Sequence, residues 1–248
     1  MPTGVSSHGQ FCSIARALDV LGQRWMLLVV RELLMGSRRF GEIRGGLPRI
    51  SRTMLSARLH ELVDTGIARR GKDGAGPFYE LTPAGRELEG TLRELGTWGQ
   101  RWLSRELPAS ELDTDALVSD MRRRIDRAAL PRSPLVARIE TWIEPRRREE
   151  RYLLLRRSEV SLCSANAGFP VELEVRGPLR TLTAWWRGDV SLSQARAAGL
   201  VVDGRREWVR AFPRWFERYL FADVPPAVPP ARWSAGPDSV PPRSPGRG

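Results

Sequence analysis

Hydrophobic positions along the chain change period more than once. From Ser13 to Leu21 and from Trp25 to Met35 they recur every three to four residues, which predicts two short helices separated near Gly22. The stretch from Arg39 to Arg44, with Phe40 and Ile43, predicts a third, broken by Gly45-Gly46-Leu47-Pro48. Ser51 then suits the N-cap of a fourth helix reaching Thr65, and Leu55, Leu59, Leu62 and Val63 fall on one of its faces. Gly66 sits just past that helix, where a left-handed residue closes it. The pattern becomes strand-like from Ile67 to Arg70 and from Phe78 to Leu81, around turn chemistry at Lys72-Asp73-Gly74-Ala75-Gly76-Pro77. Thr82-Pro83 opens a long helix, and Leu81, Leu88, Leu95 and Trp102 recur every seven residues with Leu92 and Trp98 filling in.

The second half reads differently. A helix is predicted from Asp113 to Arg127, acidic at its front and basic at its back as the helix dipole favours. Strands follow from Ala137 to Trp142, then from Arg151 to Arg157 and from Val160 to Ala165 around Ser158-Glu159. Val171 to Gly177 alternates between apolar and charged residues, as a strand with one wet face does. Helices are predicted from Leu179 to Arg187, from Leu192 to Ala198 and from Arg205 to Phe221. Beyond Pro225, Pro, Gly, Ser and Ala dominate and too little apolar surface remains to offset chain entropy, so this tail is expected to be disordered. The fold class expected is α+β. Residues 1–107 form a winged helix-turn-helix, 108–134 a connecting helix or linker, 135–223 a smaller α+β domain with an antiparallel sheet, and 224–248 the Pro-rich tail.

Composition narrows the function classes. The 248 residues carry a net charge of +11, and every basic residue except Lys72 is arginine. The basic excess is +5 in residues 1–110, +3 in 111–157 and +3 in 158–248, so charge suggests an acidic partner without locating it. Two distant cysteines, Cys12 and Cys163, and no signal peptide point to a reducing, cytoplasmic setting. The apolar run from Met26 to Val30 is too short to span a membrane. His8 and His60 have no partners at metal-ligand spacing, so neither a metal site nor a cofactor is expected. There is no nucleophile elbow and no phosphate-cradling glycine loop, and Glu149-Glu150 reads as a solvated turn. No enzyme is expected.

The chemistry concentrates around the helix that begins at Ser51. With its leucines buried, Thr53, Ala57, His60 and Glu61 point away from the core, Ser56 lies on the flank, and Arg52 occupies the first turn. Small hydrogen-bonding groups at an exposed helix N-terminus suit close approach to a groove floor, and the terminus itself favours phosphate. The preceding short helix and turn complete a helix-turn-helix, and the hairpin becomes a wing whose Arg69, Arg70 and Lys72 can meet the DNA backbone, giving salt-sensitive binding. The double-stranded DNA-binding set read this way is Arg38, Arg39, Arg49, Ser51, Arg52, Thr53, Ser56, Arg58, His60, Arg69, Arg70 and Lys72. The alternative is an amphipathic helix followed by an ordinary solvated hairpin.

These residues also resemble a known family. Cys12, Leu21-Gly22-Gln23-Arg24-Trp25, the Arg39-Phe40-Gly41-Glu42-Ile43 block, Ile50-Ser51 with Leu55 and Leu59, Gly66 and Tyr79-Glu80-Leu81-Thr82 are similar to the HxlR-type winged helix-turn-helix regulators. The resemblance covers about the first 105 residues. It implies operator binding as a homodimer, joined through the N-terminal helix and the helix running from Pro83 to Arg105. It also implies a possible redox role for Cys12, with Arg16 one turn away, although a small core residue is the other reading. Two departures stand out: Gly76-Pro77-Phe78 replaces a segment in which the family usually carries a basic residue, and the chain continues for more than a hundred residues.

That continuation resembles the sterol-carrier-protein-like domain in the order Val171 to Gly177, Leu179 to Arg187, Gly188-Asp189, Leu192 to Ala198 and a short strand. The resemblance implies an apolar tunnel for lipid-like molecules. Trp142, Trp185, Trp186, Trp208 and Trp215 could line such an effector pocket or fill an ordinary core. The functional expectation is a sequence-specific transcriptional regulator with an apolar small-molecule effector. The alternative is a hydrophobic-ligand or lipid carrier with a non-functional DNA module.

Overall fold

In the computed structural model, residues 7–166 and 168–227 are described. Most of the Pro-rich tail, from residue 228 on, lies outside them. The N-terminal half runs α1 (Ser13–Leu21), α2 (Met26–Leu34), α3 (Phe40–Gly46), α4 (Arg52–Asp64), β1 (Ala68–Asp73), β2 (Gly76–Leu81) and α5 (Pro83–Trp102). The caps are those the sequence offers. Ser51 Oγ accepts the Met54 amide at 3.1 Å, Thr82 Oγ1 accepts the Gly85 amide at 3.3 Å, and Gly66 adopts φ 73°. Met26, Val29, Val30, Ile43, Leu55, Leu59 and Leu62 are fully buried and fix α2, α3 and α4 around one core.

The β1–β2 hairpin is longer than its apolar residues suggest. Pairing runs from Ala68↔Leu81 to Asp73↔Gly76 and leaves Gly74-Ala75 as the turn. The polar outer rungs are held from outside. The Phe78 ring covers Gly71, where any Cβ would overlap it, and α3 reaches the turn through Arg39.

The C-terminal half comprises α6 (Thr114–Arg123), β3 (Leu135–Trp142), β4 (Arg148–Leu155), β5 (Val160–Cys163), β6 (Val171–Pro178), α7 (Leu179–Trp186), α8 (Leu192–Ala197), β7 (Val201–Gly204) and α9 (Arg206–Ala211). The sheet order is β5-β4-β3-β6-β7. The expected antiparallel sheet is in fact mixed. β3 and β6 run parallel, from Val136↔Val171 to Trp142↔Pro178, while the other pairs are antiparallel. Alternation in β6 specifies which residues face the core but not the strand's direction, which depends on the chain returning across the sheet after β5. The helix expected from Arg205 to Phe221 also stops early. α9 ends at Ala211, a 3-10 turn follows at Phe212–Arg214, and Phe216 bridges to Ile125. Pro213 lacks the amide needed to continue.

α6 is more than a connector. Leu117, Val118 and Met121 are buried in the C-terminal core, while its other side meets α3. Here the two halves join. Arg123 donates to Glu32 Oε2 at 2.6 Å, Arg31 donates to Glu32 Oε1 at 2.7 Å, and the Glu32 side chain is fully buried. Glu32 in turn lies against Gly46 at the end of α3, where a Cβ would overlap its carboxylate. Farther along, Arg187 donates to Gln100 at 3.1 Å and Arg105 to Asp189 at 2.9 Å. No helix among the described residues is long and apolar enough to cross a membrane.

Candidate nucleic-acid interface

The buried leucines of α4 turn its first residues outward. Ser51, Arg52 and Thr53 are exposed, and neither the Arg52 nor the Thr53 side chain has a hydrogen-bond partner among the described residues. Ser56 lies on the flank. His60 is exposed, with Nδ1–H donating to the Ser56 carbonyl at 2.8 Å, so Nε2 is the ring atom left to face outward. The C-terminal half approaches α3 and leaves the tip of α4 open. Arg52 stands at the rim of a cleft that it shares with Phe40, Arg44, Asp115 and Arg151.

Five arginines of the expected DNA-binding set are instead engaged within the chain. Arg58 donates to the Arg24 carbonyl at 3.1 Å and to Glu61 at 2.5 Å, clamping α4 to the α1–α2 turn. Arg49 reaches across to the carbonyls of Ser110 and Leu112. Arg39 forks onto Asp73 at 2.5 Å and donates to the carbonyls of Gly76 and Pro77 at 2.6 and 3.0 Å, so it ties the wing to α3. That hydrogen-bonded guanidinium holds the Asp73 carboxyl below its ordinary range. Arg38 pairs with Glu80 at 3.0 Å and stacks over Phe78 at 4.2 Å. On the wing, Arg69 also pairs with Glu80, its direct cross-strand neighbour, while Arg70 and Lys72 are exposed and unpaired among the described residues. Within the expected set, the cations exposed and without a side-chain partner among the described residues are therefore Arg52, Arg70 and Lys72.

Asp73, Phe78 and Glu80 decide which arginines stay available, and the sequence reading passed over all three. The Arg69–Glu80 pair was within reach, since the hairpin register places the two residues opposite each other. The Arg39–Asp73 fork spans 34 residues and no local pattern announces it.

Cys12 is exposed at the N-terminal end of α1, which corrects the core reading. The backbone amides of Ala15 and then Ile14 at the open helix end hold its thiol below the usual cysteine value. Iodoacetamide is expected to label Cys12 in the native protein well before half-buried Cys163, with a pH midpoint below that of free cysteine. Peptide mass spectrometry would check this, and equal labelling of both thiols would refute it.

The five tryptophans largely fill space. Trp185 stacks on Phe212 at 5.4 Å, Trp186 meets the Phe216 edge at 5.5 Å, and Trp215 is buried against Trp208 and Phe212. Trp208 donates to Glu172 at 3.2 Å, and Trp142 lies under Arg148 at the sheet end. Trp186 donates to Asp120 at 2.8 Å and is the one of the five that lines a cavity of about 580 Å³ between the two halves. Among the described residues no group of three or more His, Cys, Asp or Glu is placed to hold a metal ion.

A family model described as HxlR-like helix-turn-helix matches residues 20–107. The HTH-type transcriptional regulator Rv3095 of Mycobacterium tuberculosis is 42% identical over 96 residues, which is 38% of this chain and 60% of that protein. The HTH-type transcriptional regulator YvaP of Bacillus subtilis is 40% identical over 91 residues, 36% of this chain and 84% of that protein. Among solved structures, the reduced form of the transcriptional regulator YodB from B. subtilis is 33% identical, with a TM-score of 0.34, covering 37% of this chain and 93% of that one. The residues matched are those that build α2 to α5 and the wing, and on the family model together with the identity across most of YvaP, the chain belongs to the HxlR-like helix-turn-helix family.

Proposed function

We propose that the protein is a sequence-specific transcriptional regulator that binds operator DNA as a homodimer in the cytoplasm. The observation that carries this reading is the exposed Ser51-Arg52-Thr53 tip of α4, with the unpaired Arg70 and Lys72 of the wing beside it. A major groove admits such a helix end, and the wing cations meet phosphate. The dimer is supported by apolar residues left facing water: Phe11, Ile14 and Leu18 on and beside α1, and Leu95, Trp98 and Trp102 on α5. In this reading residues 1–107 are the DNA-binding and dimerisation unit, and Cys12 is a redox-sensitive thiol.

Residues 135–223 act as an effector-responsive, sterol-carrier-like module without catalytic activity. The succession of β6, α7, Gly188-Asp189, α8 and β7 supports the resemblance. A lipid-carrier alternative needs a lumen among Trp185, Trp208 and Trp215, where ring packs on ring.

Gel-shift titration against the promoter of the protein's own gene, at several salt concentrations, tests the regulator. Arg52→Ala is expected to cost about 1–3 kcal/mol of operator affinity and to relax specificity, whereas Lys72→Ala should weaken all sequences alike and lower the salt slope by about one. An absence of sequence preference at every salt concentration would sink this reading.

A further inference from the structure

The cavity between the halves is walled by α2 and α5 on one side, α6 and α7 on the other, with Tyr219 to Phe221 closing it. Its volume of about 580 Å³ falls in the range of small-molecule sites, roughly 300–1,000 Å³. Much of its wall is aliphatic or aromatic, with Leu27, Leu92, Leu117 and Trp186 among the lining.

The polar groups in this wall are unevenly matched. Arg124 is largely buried, with its side chain 15% exposed, yet among the described residues its guanidinium makes no hydrogen bond and only a 3.5 Å ion pair with Asp120. Asp120 is already shared, accepting from Trp186 Nε1 and lying 3.8 Å from Arg123. Arg123 and Arg124, both largely buried, face Glu32 and Asp120, with Arg31, 42% exposed, at the outer side of Glu32. The other charged lining groups balance elsewhere or sit at the mouth. Glu89 pairs with Arg93 on α5, Asp113 caps α6, and Glu111 lies on an exposed turn. The weakly paired Arg124 guanidinium, set beside apolar wall, favours an added anionic group.

We propose that this cavity binds an amphipathic monoanion, an organic carboxylate whose apolar body lies among the leucines and whose carboxylate meets Arg124. The site differs from the expected pocket within the C-terminal core. Half of it is built from α2 and α5, and half from residues beyond the segment matched to the family model. Occupancy has a route to the reading head. Arg31 and Arg123 both hold Glu32, and Glu32 packs on Gly46 at the turn before α4. A carboxylate at Arg124, which shares Asp120 with Arg123, therefore bears on the Arg123–Glu32 pair and through it on the turn before α4. This effector role rests on the regulator reading above, whereas the binding itself does not.

The test uses the full chain and the fluorescent probe 1-anilinonaphthalene-8-sulfonate, with decanoate and decanol as competitors. One probe should bind per chain, decanoate should displace it, and decanol should be about tenfold or more weaker, as loss of a charge-assisted contact implies. Arg124→Met should weaken decanoate by about the same factor and leave decanol unchanged. Ala116→Trp, which fills the cavity from α6, should abolish displacement by either. Leu92→Trp is the second plug if the first does not fold by circular dichroism. Equal potency of decanol and decanoate, an unaltered decanoate affinity in Arg124→Met, or probe binding retained in a folded plugged variant would each overturn the site. Gel shifts on the wild type separate the two readings. Decanoate binding without operator binding removes the regulator and keeps the site, and operator binding without decanoate binding does the reverse.

Discussion

Glu32→Ala is expected to destabilise the protein by about 3–5 kcal/mol, because it leaves guanidinium groups without their counter-charge in a buried position. Glu32 is fully buried, and Arg123, its partner from α6, is only 12% exposed. Arg31 is 42% exposed and can turn to water, which places the expectation at the lower end of that range. The loss should appear as a lower urea midpoint for both halves together, since Glu32 bridges α2 and α6. Arg123→Met in the Glu32→Ala background should restore part of the loss, because the orphaned charge is then gone. A cost below about 1 kcal/mol, the range of exposed ion pairs, would mean that Glu32 is not the pin between the halves.

Trp215→Ala is expected to cost about 3–5 kcal/mol, as removal of a large buried ring from a packed core does. Trp215 is 1% exposed and packed by Trp208 and Phe212. Its Nε1 has no hydrogen-bond partner among the described residues, so Trp215→Phe should lose far less than the alanine variant. The pair of variants separates a filled core from a lipid tunnel. A ring lining an open lumen would be removed with little loss of stability, and a thermal melt of Trp215→Ala within a degree or two of wild type would restore the tunnel.

Local features of the chain were legible wherever a short-range rule decides them. Ser51, Thr82-Pro83 and Gly66 mark helix ends through capping and left-handed geometry, and Leu55, Leu59 and Leu62 mark the buried face of α4. The interface residues were legible less evenly. Arg52 in the first turn of α4 and Arg70 and Lys72 on the wing are exposed as their positions suggested, whereas Arg39, Arg49 and Arg58 look equally available in sequence and are drawn inward by Asp73, by the carbonyls at 110 and 112, and by Glu61. Cys12 shows the same limit from the other side. The sequence left a redox thiol and a small core residue both open, and only the fold shows that nothing in the described chain packs over the start of α1, so its thiol meets water.

The chain by itself determined its helix boundaries, its hairpin wing and the polar tip of α4, since periodicity and capping act within one or two turns of backbone. Tertiary structure alone decided that β6 runs parallel to β3, that Arg39, Arg49 and Arg58 bond to groups of the same chain, and that a cavity lies between the halves. Those outcomes depend on which distant groups meet when two cores dock. Coulombic and packing energies act between groups close in space, and separation along the chain does not report that closeness.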